Sequence, residues 1–116
     1  MGMNLVIIQG NLGKDPKLSR GGGGSNDRCT FSVAVTERWN DRDGNKQERV
    51  EWFQVVVWGK RAGVCAQYLS KGRPVLVRGR GNTREWQDDD GQQQKMFQVT
   101  ADEVVVGINP GQINLL

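Results

Sequence analysis

The stretch Val50–Gly63, VEWFQVVVWGKRAG, decides how the chain is read. Trp52 and Trp58 frame a β-branched run, Val55, Val56 and Val57, and Lys60 and Arg61 follow closely. Such a run predicts a strand, whose successive side chains point to opposite faces. Phe53, Val55 and Val57 then share one face, which is apolar and reads as core. Trp52, Gln54, Val56 and Trp58 share the other, with the two indoles about 20 Å apart along the strand. Two large aromatics on the outer face of a small protein call for a partner.

The rest of the composition narrows what that partner can be. A chain of 116 residues fits one domain. A net charge of +3 and a pI near 9.1 suit a nucleic-acid partner without arguing for one. There is no histidine, so the commonest general base and zinc ligand are missing and no Ser–His or Cys–His pair can form. Cys29 and Cys65 make no CxxC motif and read as buried, reduced thiols of an intracellular protein. Neither a GxxxxGK[ST] loop nor a strand–GxGxxG–helix unit is present. Asp88, Asp89 and Asp90 could hold the metal of a nuclease, but crowded carboxylates at a hairpin tip are more often a solvated turn. No catalytic residue, metal site or cofactor is therefore expected. The N-terminus has no charged segment leading into a long apolar run, and no apolar run is long enough to cross a membrane. A cytoplasmic, nucleoid-associated location with no membrane partner is the expectation.

Taken in order, Met3–Leu12 is a first strand, with Leu5, Val6, Ile7 and Ile8 apolar on both faces. That admits two readings: a central barrel strand, or a strand whose outer face lies in a subunit interface. Gly13–Asp27 reads as a loop, opened by the turn signal Asp15-Pro16 and containing the flexible run Gly21–Ser25. Arg28–Trp39 is a second strand in which Cys29, Phe31, Val33 and Val35 alternate with small polar residues. Trp39 shares the inward parity, so it is either core or turned outward by a bulge. Asn40–Gln47 is a polar hairpin loop turning at Asp43-Gly44. The opening stretch is the third strand. Lys60–Lys71 is the one helix candidate, with Val64, Cys65, Tyr68 and Leu69 as its apolar stripe, Tyr68 included as packing, and Gly72 as its C′ residue. Pro74–Trp86 is a long fourth strand with Val75, Val77 and Gly79 on one face and Leu76, Arg78, Arg80, Asn82, Arg84 and Trp86 on the other. Asp88–Gly91 forms a tip, and Gln94–Val106 is a fifth strand with Phe97, Val99 and Ala101 inward. No internal repeat is visible. Five strands with one short helix between the third and fourth is the order of the OB-fold, an all-β, five-stranded Greek-key barrel.

The aromatics and cations supply the function. Arg38 precedes Trp39, Lys60 and Arg61 follow Trp58, and Arg84 shares a strand face with Trp86. Single-stranded nucleic acid offers unstacked bases and dense phosphate charge, and proteins meet it with aromatic platforms and Lys or Arg. Stacking accepts any base, so little sequence preference is expected.

At these residues the sequence resembles the bacterial single-stranded DNA-binding protein family, from Met3 to about Val106. The resemblance rests on Gly10-Asn11-Leu12-Gly13 with Asp15-Pro16, Phe31–Thr36, Glu51-Trp52, Trp58-Gly59-Lys60, Ala66–Leu69 with Lys71-Gly72, Val77–Gly79, and Thr83-Arg84 before Trp86. It implies an OB domain over residues 1–107 that coats and protects single-stranded DNA in replication, recombination and repair, as a homotetramer. Trp39, Trp52 and Trp86 fall where the family stacks bases on tryptophan, and Trp58 falls where it has a stacking aromatic. Lys60, Lys71 and Arg84 match positions that contact the DNA backbone. The family's use of its first strand to pair subunits favours the interface reading for Leu5 and Ile7, with Leu76 and Arg78 on the same seam.

Two departures stand out. Residues 108–116 form a short tail without the acidic tip through which the family recruits replication and repair proteins, so such partners are expected only where a tail is present in the full-length protein. Arg78 and Arg80 would repel their copies across a seam between dimers unless acids pair them. The alternatives are an OB-fold subunit docking to replication proteins and an RNA-binding OB module.

Overall fold

The computed structural model describes residues 2–21 and 26–107. Most of the glycine-rich run expected to be flexible, residues 22–25, and the tail at 108–116 lie outside the described residues. Among the described residues, six strands and one helix follow in the order β1 (Val6–Leu12), β2 (Lys17–Ser19), β3 (Arg28–Asn40), β4 (Lys46–Trp58), α1 (Lys60–Tyr68), β5 (Pro74–Gln87) and β6 (Gln93–Val106). The sheet runs β1-β5-β6-β4-β3, and β1 meets β3 again at Asn11–Ala34 and Leu12–Val33, which closes the barrel. Every pairing is antiparallel except β4 with β6, which is parallel. This is the expected five-stranded OB barrel, with α1 between its third and fourth long strands. The addition is β2, inside the segment expected to be a loop. Its three residues carry one apolar side chain, Leu18, too little alternation to announce a strand.

The inner faces follow the alternation in the sequence. Val33, Val55, Val57, Val75, Val77 and Val99 are all but fully buried, and Cys29 with them. Burial pushes the Cys29 thiol up to about 11, with the neighbouring Cys65 acting in the same direction. Val56, on the outer face of β4, is also buried. It lies mid-sheet, paired with Thr30 of β3 and Thr100 of β6, so neighbouring strands cover it on both sides.

Beyond the barrel the two hairpins continue as free two-stranded arms, and there the expectations from alternation fail. β3 and β4 pair without a register shift from Arg28–Trp58 to Asn40–Lys46. No bulge turns Trp39 outward; it is exposed because that part of the ribbon has no core beneath it. Phe97, expected inward, is half exposed at the barrel rim, where its ring lies against Gly81.

The helix also differs from its expected stripe. It ends at Tyr68, and Leu69 takes extended backbone that carries its side chain into the core. Ala62, Cys65, Ala66 and Leu69 form the inward set, while Val64 and Tyr68 are more than half exposed. Gly72 is not the helix C′ residue. It sits in the following turn with φ of 85°, and its N–H donates to the Leu12 carbonyl at 2.8 Å.

The arm tips show a local repeat that sequence inspection misses. Asp41–Gln47 reads DRDGNKQ and Asp88–Gln94 reads DDDGQQQ. Asp41 Oδ1 accepts the N–H groups of Asp43 at 3.0 Å and Asn45 at 2.8 Å; Asp88 Oδ1 accepts those of Asp90 at 3.0 Å and Gln92 at 2.9 Å. In each tip the second Asp oxygen accepts a Gln amide, from Gln47 or Gln94. Gly44 and Gly91 take the positive φ of 80° and 79° that this turn requires.

Candidate nucleic-acid interface

Register places the outer-face residues. In an antiparallel pair, partnered residues face the same side. Arg28, Thr30, Ser32 and Ala34 of β3 therefore share a face with Trp58, Val56, Gln54 and Trp52 of β4. The parallel pairing carries that face to Gln98 and Thr100 of β6, and the last hairpin carries it to Arg80, Asn82, Arg84 and Trp86 of β5. One continuous outer surface thus holds three of the four tryptophans.

All four indoles are exposed: Trp52 by 56%, Trp39 and Trp58 by 47% each, and Trp86 by 37%. Trp52 rests on Gly13, where an added Cβ would collide with the indole ring. The remaining three each carry an arginine of the same chain over the ring. Arg28 lies 5.7 Å from the Trp58 centroid, Arg84 5.3 Å from Trp86, and Arg49 5.9 Å from Trp39.

The structure brings Trp58 and Arg84 to one cleft, lined also by Arg28, Thr30, Val56 and Gln98. Through Arg84 that cleft adjoins Trp86. Trp39 stands apart. Its partner is Gln47, so it projects from the opposite face of the β3–β4 ribbon to Trp52, which pairs with Ala34. Lys60 opens α1 directly after Gly59 and is exposed. Lys71 lies at the corner where its backbone N–H donates to Asp15 at 2.8 Å and Gly72 bonds Leu12, beside the Gly13 that supports Trp52.

Ion pairing divides the cations. Arg38 pairs with Glu48 at 3.1 Å and Arg49 with Glu37 at 2.9 Å on the β3–β4 arm. Arg78 pairs with Glu103 at 3.2 Å and Arg80 with Asp102 at 4.0 Å. The arginines expected to repel across a subunit seam therefore carry acids of their own chain. Among the described residues, Arg28 and Arg84 have no carboxylate within ion-pairing reach.

Sequence reading missed Arg28 and Arg49 as neighbours of tryptophan. A signal existed: with the hairpin centred on Asp43, positions symmetric about it pair, and 28 and 58 are symmetric. Of the seam residues, Leu5 and Ile7 are more than half exposed and Leu76 is partly so. Ile7 pairs with Arg78 and Gln9 with Leu76, so the outer faces of β1 and β5 form one patch.

The sequence profile of the single-strand binding protein family matches residues 3–106. The chain belongs to that family. Among its relatives is single-stranded DNA-binding protein 1 of Chlorobaculum tepidum, 44% identical over 88 residues, covering 76% of this chain and 54% of that protein. Another is a single-stranded DNA-binding protein of Neisseria meningitidis serogroup A, 39% identical over 104 residues, covering 90% of this chain and 59% of the relative. The chain thus spans somewhat more than half the length of these relatives. A solved structure described as the Plasmodium falciparum SSB complex with ssDNA superposes with a TM-score of 0.80 at 27% identity, over 91% of this chain and 96% of that one. The family assignment and that structural neighbour agree with the barrel topology. Among the described residues no helix is long and apolar enough to cross a membrane, and no cluster of metal-ligating side chains is found.

Proposed function

We propose that the chain binds single-stranded DNA with little sequence preference, stacking bases on its tryptophans and holding phosphates with arginine and lysine. The observation that carries this is the single outer surface of β3, β4, β6 and β5, where Trp52, Trp58 and Trp86 lie exposed among Arg28 and Arg84, cations without acidic partners among the described residues. Exposed indoles beside guanidinium groups not engaged by a carboxylate of the described residues match what unpaired bases on a charged backbone require. Family membership and the structural neighbour solved with single-stranded DNA support the same reading.

The proposed role is non-enzymatic: coating and protecting strands exposed in replication, recombination and repair, in the cytoplasm at the nucleoid. Trp39, Trp52, Trp58 and Trp86 are the proposed platforms, and Arg84, Lys60 and Lys71 the proposed backbone contacts, within one OB domain over residues 1–107. We assign Leu5, Ile7, Leu76 and Arg78 to contacts between copies in a homotetramer. Replication and repair proteins are proposed as partners only where the full-length protein carries an acidic tail.

Titrating intrinsic tryptophan fluorescence with oligo-dT at rising salt tests the reading. Quenching is expected, with affinity falling as salt rises because bound phosphates release counterions. Unchanged fluorescence across the titration would overturn it. A parallel titration with oligo-U reports whether RNA is bound as well.

A further inference from the structure

We propose that Arg28 is a phosphate-binding residue of a one-nucleotide subsite in the cleft between β3, β4, β5 and β6, beyond the contacts assigned above to Trp58 and Arg84. In it the base stacks on Trp58, and Arg28, displaced from the indole, takes up the adjoining phosphate together with Arg84. The proposal rests on the DNA-binding reading and names where one nucleotide is held.

Three observations carry it. The cleft measures about 240 Å³, below the roughly 300–1,000 Å³ of pockets that enclose drug-sized ligands, and so suits one base rather than a run. Its floor is the buried Val56, an apolar surface for a ring edge, while Thr30 and Gln98 line it with groups that both donate and accept hydrogen bonds. Those two side chains can meet the polar edge of any base, in keeping with sequence tolerance. Lastly, Arg28 is placed for this exchange by register: it pairs directly with Trp58, and its guanidinium lies over the ring, on a face where a base would stack.

Arg28 also differs from the other arginines of the surface. Arg38, Arg49, Arg78 and Arg80 each lean on an acid, so a phosphate must compete with a carboxylate for them. Arg28 and Arg84 have no such partner among the described residues, and each is held by an indole alone. A cation on an exposed aromatic face is held more weakly than a stacked base. Exchange of guanidinium for base at Trp58 therefore runs downhill, and the freed charge finds a phosphate rather than water.

The test compares wild type, Arg28→Ala and Arg28→Lys in oligo-dT titrations across a salt series, with thermal melts to establish that each variant is folded. Losing one phosphate contact should lower the slope of log affinity against log salt by about 0.7 for a single strand. Arg28→Ala is expected to show that drop, with its affinity approaching wild type at high salt, and Arg28→Lys to retain the wild-type slope. A wild-type slope in Arg28→Ala, or an equal loss at every salt concentration, overturns the subsite and leaves Arg28 a packing residue. Arg28→Gln, which keeps much of the aliphatic stem, gives the same reading if the alanine variant does not fold. A wild-type chain that does not bind oligo-dT instead overturns the DNA reading itself.

Discussion

Trp52 and Gly13 make a pair at the scale of single residues. The benzo ring of the indole lies against the glycine, where a Cβ would collide with it, yet the side chain stays more than half exposed, so the ring is braced before any ligand arrives. The other tryptophans each have a guanidinium to displace. Trp52→Ala is therefore expected to be the most costly single tryptophan change. Loss of one stacked base costs roughly 1–3 kcal/mol, or about one to two orders of magnitude in affinity for oligo-dT. Gly13→Ala should push the ring aside and weaken binding in the same direction by less, because the indole can shift. Fluorescence titration of both variants checks this, and wild-type affinity in Trp52→Ala would remove Trp52 from the platform set. The indole of Trp52 was legible as an outer residue from strand parity. Its support by Gly13 was not, since the two residues lie 39 positions apart and only the barrel closure brings them together.

The hairpin arms are where element-level reasoning both succeeds and fails. Each arm is centred where the turn residues indicate, on Asp43 and Asp90, and its pairing follows outward from that centre. Which way its side chains face does not follow from parity, because a two-stranded ribbon has no buried side. Phe97, expected inward, is half exposed, and Trp39, read as either core or turned out by a bulge, is exposed without one. The tips hold the arms in register through one carboxylate each. The Asp88 carboxylate accepts N–H donors from Gln92, the Gln94 amide and Asp90, which hold it below its ordinary value of 3.8. A carboxylate depressed in the folded state contributes fully above its unfolded value and loses that contribution as pH falls through its folded value. The β5–β6 tip should therefore be insensitive to pH near neutrality and should loosen only below about pH 3.8. An NMR titration of the Asp88 carboxyl carbon is expected to give a midpoint below that value; a midpoint at or above it would contradict the bonding described.

For the molecule as a whole, the open question is what covers the outer face of β1 and β5. Leu5 and Ile7 are exposed there beside Leu76, and the arginines on the same strand face are matched by Glu103 and Asp102. With those charges neutralised within the chain, a second copy can approach without like-charge repulsion. Ile7→Arg should place an unmatched cation in the middle of the proposed seam. Sedimentation velocity is expected to show wild type as a tetramer and Ile7→Arg as a smaller species, still folded. A wild-type monomer, or an unchanged tetramer in the variant, would move the seam elsewhere.

By itself the sequence determined the number and order of the long strands, the place of the helix, the inner faces of β3, β4 and β5 and the centres of both hairpins. These properties are local: β-branched alternation, turn residues and glycine punctuation act over a few positions. Tertiary structure decided which outer residues meet. Arg28, Trp58, Arg84 and Gln98 come from four strands and share a cleft only because β4 pairs in parallel with β6. The acids that neutralise Arg78 and Arg80 are likewise set by the register of β5 on β6, including its shift at Gly79. Strand alternation fixes on which side of its own strand a residue lies. What it touches there depends on chain closure over tens of residues, which no local pattern records.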